Sequence, residues 1–424
     1  MLVCIRSKRR IVFELVEGLL TKLAARRAPL TLFAAFVHFD ISFMVWVLLG
    51  PLALFIAKDL DLSIVQKGFL VSIPPLGGAF FRIKLGYLSD RFGAKPTGTV
   101  SMALTLVPLL LGWGLGYSYP MMILCGLLLG IAGASFAVSL PIASRWYPPE
   151  KQGLAMGIAG AGNSGTVIST LFAPMIAHSI GWHATMLVAT IPVLVALATW
   201  TFLASDSPTH PKPRTFAQYA EVLKQGDTWW FCLFYSITFG GFLALVSYLA
   251  IYFNTAYGID KVQVGMLVAA ASLCGSVLRP VGGYIADRIG GVKLLQVVYV
   301  AFALCAVMIA TQPSIVTCVA VVCAATGLLG MGNGAVFQVV PQRFPAEIGI
   351  MTGIVGAAGG IGGFYIPNVL APLRAASGTF SSGFIAFGVL ALVGAILVTV
   401  MGRVWAGTFL TGGRTAFAFA LEEG

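Results

Sequence analysis

Two arginines stand where arginine is costly. Arg82 and Arg279 each lie within an apolar run, eight residues before an aspartate, Asp90 and Asp287, near its end. Eight helical residues rise about 12 Å, so in a hydrocarbon layer roughly 30 Å thick both guanidiniums sit near mid-depth. Arginine cannot shed its proton there, and without a partner its burial is expensive. Only one acid, Asp40, lies clearly inside a span, and one carboxylate cannot neutralise two central arginines. Pairing with that acid or with backbone carbonyls is the purely structural alternative. The simpler source of the missing charge is an anion taken up from outside. A guanidinium is a flat fork that meets two oxygens at once. Two such forks suit a small planar oxyanion held by opposite edges. Phe136, Phe337, Tyr235 and Phe239 are rings available to bound its faces, although any one alone is more often core or lipid-facing. Lys84, two residues from Arg82, falls on the opposite helix face and can snorkel outward.

A second group concerns protons and helix packing. His38 and Asp40 stand about 20 Å along a helix from Arg27, again at mid-depth, and an intramembrane acid beside a histidine is a candidate proton relay. The alternative is an Asp40 that serves as a fixed counter-ion or caps a kink. Gly153, Gly157, Gly160 and Ser164 follow a 4-3-4 spacing, as do Gly349, Gly353, Gly356 and Gly360, with Gly363 beyond. Each set is one small-residue helix face, suited to close helix packing. One such face per half would also let neighbouring helices slide and leave room for a small substrate. Asn163 lies in the first stretch, where an amide must be bonded by a neighbouring helix or by substrate.

The elements that position these residues follow from composition. Of 424 residues, 58% are hydrophobic and 10% charged, and the mean hydropathy is +0.93. A soluble fold cannot cover its outside with so few polar groups. This excludes a soluble enzyme, a nucleic-acid binder and a disordered chain, and leaves the bilayer as solvent. Twelve apolar stretches are long enough to cross it, near 31–57, 64–88, 97–117, 120–144, 153–178, 183–204, 229–253, 262–286, 293–312, 314–341, 349–372 and 380–403. All are expected to be helices, because backbone groups in lipid must pair internally. The domain plan is a basic segment 1–29, a six-helix half 30–204, a linker 205–228, a second half 229–404 and a tail 405–424.

With both termini placed in the cytoplasm, nineteen Lys and Arg fall on that side and four on the other, out of 26. That bias orients a multi-pass protein of the cell membrane, so the net charge of +11 reflects topology. The basic N-terminus is too interrupted for a signal peptide and reads as an amphipathic helix on the inner leaflet. The seven cysteines form no C-x-x-C pair and read as buried, inert thiols. No metal and no cofactor is expected.

The two halves repeat at an offset of about 197 residues. Arg82, Gly86, Tyr87, Asp90, Arg91 and Gly93 recur as Arg279, Gly283, Tyr284, Asp287, Arg288 and Gly290. Paired six-helix repeats with a midplane site between them are the arrangement of major facilitator carriers. The G-x-(L/I)-x-D-R-x-G loops resemble that superfamily's signature. The resemblance implies that Asp90, Arg91, Asp287 and Arg288 latch and release the cytoplasmic side during gating.

A narrower resemblance rests on the glycine stripes. Gly157-Ile-Ala-Gly160-Ala-Gly162-Asn163-Ser-Gly165 and Gly353-Ile-Val-Gly356-Ala-Ala-Gly359-Gly360-Ile-Gly362-Gly363 are similar to the paired signatures of the nitrate/nitrite porter family. The similarity covers essentially all of 30–404. It implies that Arg82 and Arg279 grip the anion, that Asn163, Tyr235 and Phe239 belong to the site, and that Phe136 stacks on the substrate. The second signature has no asparagine equivalent to Asn163, which implies an asymmetric site. The implied function is secondary transport of nitrate and nitrite by a monomer, either with protons or by exchange. A carrier of formate or a short carboxylate is the nearest rival, and a membrane sensor the rival of another class. No nucleophile–base pair or metal spacing suggests an enzyme.

Overall fold

Both boundaries of the repeated loop are set by one glycine each. In the computed structural model, which describes residues 27–147, 158–207, 216–344, 347–406 and 408–409, α2 (Ile64–Phe92) stops at Gly93 and α3 (Ala94–Leu115) starts directly after it. In the second half, α8 (Lys261–Ile289) stops at Gly290 and α9 (Gly291–Ala310) follows. Gly93 and Gly290 have φ of 97° and 92°, a region that only glycine enters cheaply. This accounts for the last glycine of each G-x-(L/I)-x-D-R-x-G loop. The new helix start also finds side-chain acceptors. Asp206 Oδ1 accepts from the Ala94 and Lys95 amides, and Gln338 Oε1 from Gly291.

The remaining membrane helices are α1 (Arg27–Asp59), α4 (Tyr119–Ala143), α5 (Gly165–Ile180), α6 (Trp182–Leu203), α7 (Gly226–Tyr257), α10 (Ile315–Arg343), α11 (Gly349–Ser377) and α12 (Ser381–Trp405). Of the twelve helices α1–α12, eleven, all but α5, are long and apolar enough to cross a membrane, among the described residues. The fifth span, expected at 153–178, is described only from residue 158, and residues 158–160 are helical. Its α5 has 16 residues and follows a 3-10 turn, Ala161–Ser164. Residues 148–157, with Gly153 and Gly157, lie outside the described residues, as do most of the basic N-terminal segment, part of the linker and most of the tail. Short polar caps start the helices where the sequence changes from polar to apolar. Ser63 and Gln66 form a capping box at α2, and Ser118, Asp260 and Ser314 cap α4, α8 and α10.

The burial pattern separates inner from outer helices. In α1 and α7, 89% of the most apolar window is buried, against 39% in α3, 33% in α6 and 39% in α12. The outer helices expose Leu104, Phe202, Leu304 and Ile396, as lipid-facing surfaces should. The halves meet along α1–α7, α2–α11 and α5–α8. Exchanging the halves converts the second pair into the third, so the packing carries the same twofold relation as the sequence repeat. Close approach is possible because small residues line these seams. A methyl on Gly68 of α2 would strike Ala371 of α11 at 2.5 Å, and one on Gly265 of α8 would meet the Thr170 carbonyl of α5 at 2.7 Å.

The two membrane faces differ. On the face opposite the Gly93 and Gly290 loops, hydrogen bonds cross between the halves. Asn368 donates to Ser72 at 2.7 Å and Lys261 to the Leu54 carbonyl at 3.1 Å. On the face carrying those loops, here termed the basic face, a cavity of about 60 Å³ runs between the halves to Arg82 and is lined by Asp90, Arg145 and Gly353. Among the described residues, the halves are thus hydrogen-bonded to each other on one side of the arginines and border a cavity on the other.

Candidate functional site

Arg82 is 1% exposed and is held by two backbone carbonyls from different helices. Its Nη1 donates to Gly356 of α11 at 2.5 Å and its Nη2 to Gly133 of α4 at 2.7 Å. The second acceptor is available because α4 is interrupted around Ala134–Ser135. The Ala137 amide bonds Ala134 rather than Gly133. The freed carbonyl turns to the guanidinium. Trp46 of α1 lies beneath, its ring 5.6 Å from the Arg82 guanidinium carbon, and its Nε1 donates to the Pro74 carbonyl at 2.8 Å. Glycines make that place for it: methyls on Gly78 or Gly133 would run into the indole.

Neither central arginine has a carboxylate partner among the described residues, where the ion pairs are Arg145–Asp90 and Arg343–Asp227. The carbonyls that hold Arg82 bring dipoles and no net charge. Arg82 Nε and Arg279 Nη1 are buried without a hydrogen-bond partner. Arg279, half-buried, approaches the same rings as Arg82. Phe136 lies 5.2 Å from the guanidinium carbon of Arg82 and 5.9 Å from that of Arg279, and Phe239 lies 5.9 Å and 6.0 Å from them. All four distances fall in the range where a cation is attracted to a ring face. Tyr235 stacks on Phe239 at 5.0 Å and sets its hydroxyl beside Arg279. Phe337 closes the group, 5.0 Å from Tyr235 and 6.1 Å from Phe136. Two like charges and an aromatic cage thus meet where the halves join.

The second signature stripe faces this cage. A methyl on Gly356 would stand 2.8 Å from Arg82 Nη1, and one on Gly359 2.7 Å from Phe239 and 2.8 Å from Tyr235. Gly360 and Gly363 instead abut Pro75 of α2. The first stripe packs on α1, with Gly162 against Phe39 and Gly165 against the Asp40 carbonyl. Gly160 and Gly353 have open space where a methyl would be. Asn163 is 2% exposed, and its Oδ1 has no partner. Lys84 is exposed against Phe80 at 4.0 Å, on the far side of α2 from Arg82, as its register requires.

His38 and Asp40 are not brought together. The imidazole packs on Trp200 with Nδ1 2.8 Å from Ser139 Oγ. The Asp40 carboxylate accepts from Ser164 at 2.6 Å and from the Gly165 amide, capping the junction of the 3-10 turn and α5. Residues two apart on a helix point to different neighbours. Of the four loop residues, Asp90 pairs with Arg145 at 2.9 Å within its own half. Arg91 donates to Tyr87, Arg288 lies 4.1 Å from the Tyr284 ring, and Asp287 is exposed. None bonds across the halves among the described residues. Arg343, the counterpart of Arg145, pairs with Asp227 at the head of α7 instead.

Sequence reasoning missed Trp46, Gly133 and Asn333. Asn333 of α10 is 2% exposed with an unpartnered Oδ1, like Asn163. A polar amide among glycines in mid-span, in Gly330-Met-Gly332-Asn333-Gly334, was the available signal.

The family model of the Major Facilitator Superfamily matches residues 32–367. A Bacillus subtilis protein named nitrite extrusion protein is 35% identical over 366 residues, covering 85% of this chain and 91% of the relative. A Staphylococcus epidermidis protein named probable nitrate transporter NarT is 34% identical, covering 85% and 92%. A Mycobacterium tuberculosis protein named probable nitrate/nitrite transporter NarK2 is 35% identical, covering 78% and 85%. Among solved structures, a bacterial homologue of the human lysosomal transporter Spinster, in an inward-facing and occupied conformation, superposes with a TM-score of 0.67 at 16% identity, over 91% of this chain and 98% of that one. That likeness speaks to the fold, which is the all-helical major facilitator architecture. The chain belongs to the nitrate/nitrite porter family of the major facilitator superfamily.

Proposed function

We propose that this protein carries nitrate and nitrite across the cell membrane by alternating access, with Arg82 and Arg279 as the two cationic arms of one anion site. The observation that supports this most directly is the pair of guanidiniums, one buried and one half-buried, that share Phe136 and Phe239 and have no carboxylate partner among the described residues. A planar oxyanion between them would neutralise charge, receive the free Arg donors at its edges and present its faces to the rings. Tyr235 and Asn163 complete the polar contacts. The basic face is the cytoplasmic one, by its excess of Lys and Arg, and both termini lie there. Asp90, Arg91, Asp287 and Arg288 work the latch on that face, and the carrier acts as a monomer in lipid.

Coupling follows one of two routes. Two fixed positive charges opposite one monovalent anion leave an excess of +1, so the unloaded halves repel across a poorly screened space and exchange is favoured. Alternatively, a proton on Asp40 alters its hold on Ser164, the neighbour of Asn163, and so links proton uptake to the anion site. Flux into proteoliposomes separates these, with nitrate, nitrite and proton gradients varied independently. Nitrate uptake that needs nitrite inside indicates exchange, and uptake driven by a proton gradient alone indicates symport. Formate competing as well as nitrite would favour a general small-anion carrier, and flux of neither anion would remove the transport reading.

A further inference from the structure

We infer that Asn333 is a substrate-contacting residue that serves the third oxygen of nitrate and so sets the preference between nitrate and nitrite. The inference rests on the anion-site reading above.

Three observations carry the assignment of Asn333 to the site. It is the repeat-mate of Phe136 at the 197-residue offset, and the Phe136 ring touches both guanidiniums. The twofold relation of the halves therefore puts Asn333 on the corresponding wall. It also stands one turn before Phe337 on the same face of α10, and Phe337 packs on Tyr235 and Phe136. The adjacent Gly334 presses on the backbone carbonyl of Arg279. Finally, the amide is 2% exposed and its Oδ1 finds no donor. Buried amides are normally satisfied within the protein, and one that is not calls for a specific explanation.

The chemistry suits an oxyanion. A half-turn about χ2 exchanges Oδ1 and Nδ2, so the position can present a neutral N–H donor to a bound oxygen. Both Nη atoms of Arg82 already donate to the Gly356 and Gly133 carbonyls, so the fork is left to Arg279, which meets the two oxygens of one edge, and the third oxygen is left to the Arg82 Nε–H and to a donor from another wall. Nitrite has only two oxygens. A donor from α10 therefore discriminates between the two anions, because discrimination is strongest where a substrate group leaves or fills a polar partner. Asn163, in the 3-10 turn that leads into α5, and Asn333, on α10, then lie on inequivalent elements of the two halves. The site is thus asymmetric although the arginines are paired by the repeat.

The test uses the full-length protein in proteoliposomes, with KM measured for nitrate and for nitrite in the wild type and in Asn333→Leu, Asn333→Asp and Asn333→Gln. Losing one donor to a charged ligand corresponds to roughly tenfold in affinity. Asn333→Leu should raise the KM for nitrate about tenfold and that for nitrite less than about threefold. Asn333→Asp, nearly isosteric, should raise both at least as much because a carboxylate would face the anion. Asn333→Gln should recover part of the nitrate preference. Equal KM changes for both anions in Asn333→Leu, or an Asn333→Asp protein with normal affinity, would overturn the inference. A wild type that moves neither anion would instead overturn the transport reading on which it rests.

Discussion

The Arg82 guanidinium of the first half is held by the carbonyl of Gly356 in the second, at 2.5 Å. This bond joins the halves at the level of the site, and it explains why position 356 of the signature is glycine. A side chain there would displace the cation from its acceptor. The stripe of small residues is thus two things at once: packing surface against Pro75 at Gly360 and Gly363, and a seat for the site at Gly356 and Gly359.

Alanine at individual stripe positions should therefore have unequal effects. Gly356→Ala puts a methyl 2.8 Å from Arg82 Nη1 and should raise the KM for nitrate about tenfold, while the protein still reaches the membrane. Gly353→Ala meets nothing within 4 Å and should keep flux within about threefold of wild type. Transport assays on the two variants check this. Equal losses would mean that the whole stripe acts only in sliding.

The aromatic cage makes a second graded prediction. Phe136 and Phe239 each lie within about 6 Å of both guanidiniums, whereas the ring contacts of Phe337 are with Phe136 and Tyr235. Phe136→Leu and Phe239→Leu should each raise the nitrate KM roughly tenfold, and Phe337→Leu should do so by less than about threefold. Concentration dependence of nitrate uptake gives the comparison. A Phe337 variant as damaged as the other two would show that general packing, not ring–cation geometry, dominates.

Much of this arrangement was legible in the sequence because it depends on spacing along one helix. The depth of Arg82 and Arg279 follows from their distance to Asp90 and Asp287, and the exposed place of Lys84 follows from helical register. The twofold relation of α2–α11 to α5–α8 follows from the repeat. What was not legible depends on contacts between helices. No pattern announces that α4 slips at Ala134 and releases the Gly133 carbonyl, or that Trp46 fills the space left by Gly78 and Gly133. The His38–Asp40 pair shows the converse. Two apart in sequence, the residues diverge to Ser139 and Ser164 because side chains at that spacing on a helix point away from each other.

The proposed symport route makes Asp40 its proton carrier. Its carboxylate reaches Ser164 at 2.6 Å, next to the signature Asn163. Asp40→Asn keeps a hydrogen-bonding group at that junction but cannot cycle a proton. It should abolish uptake driven by an inward proton gradient and spare nitrate/nitrite exchange, both measured in the same vesicles. Retention of both activities would exclude Asp40 from coupling.

The account depends on two permanent cations being completed by one external anion. Equilibrium nitrate binding to the purified protein tests this most directly, comparing wild type with Arg82→Lys and Arg279→Lys. Lysine keeps the charge and loses the planar fork. The expected result is one nitrate per chain in the wild type, with affinity falling at least about tenfold in each variant. Binding that stays within about threefold of wild type in both variants would contradict it.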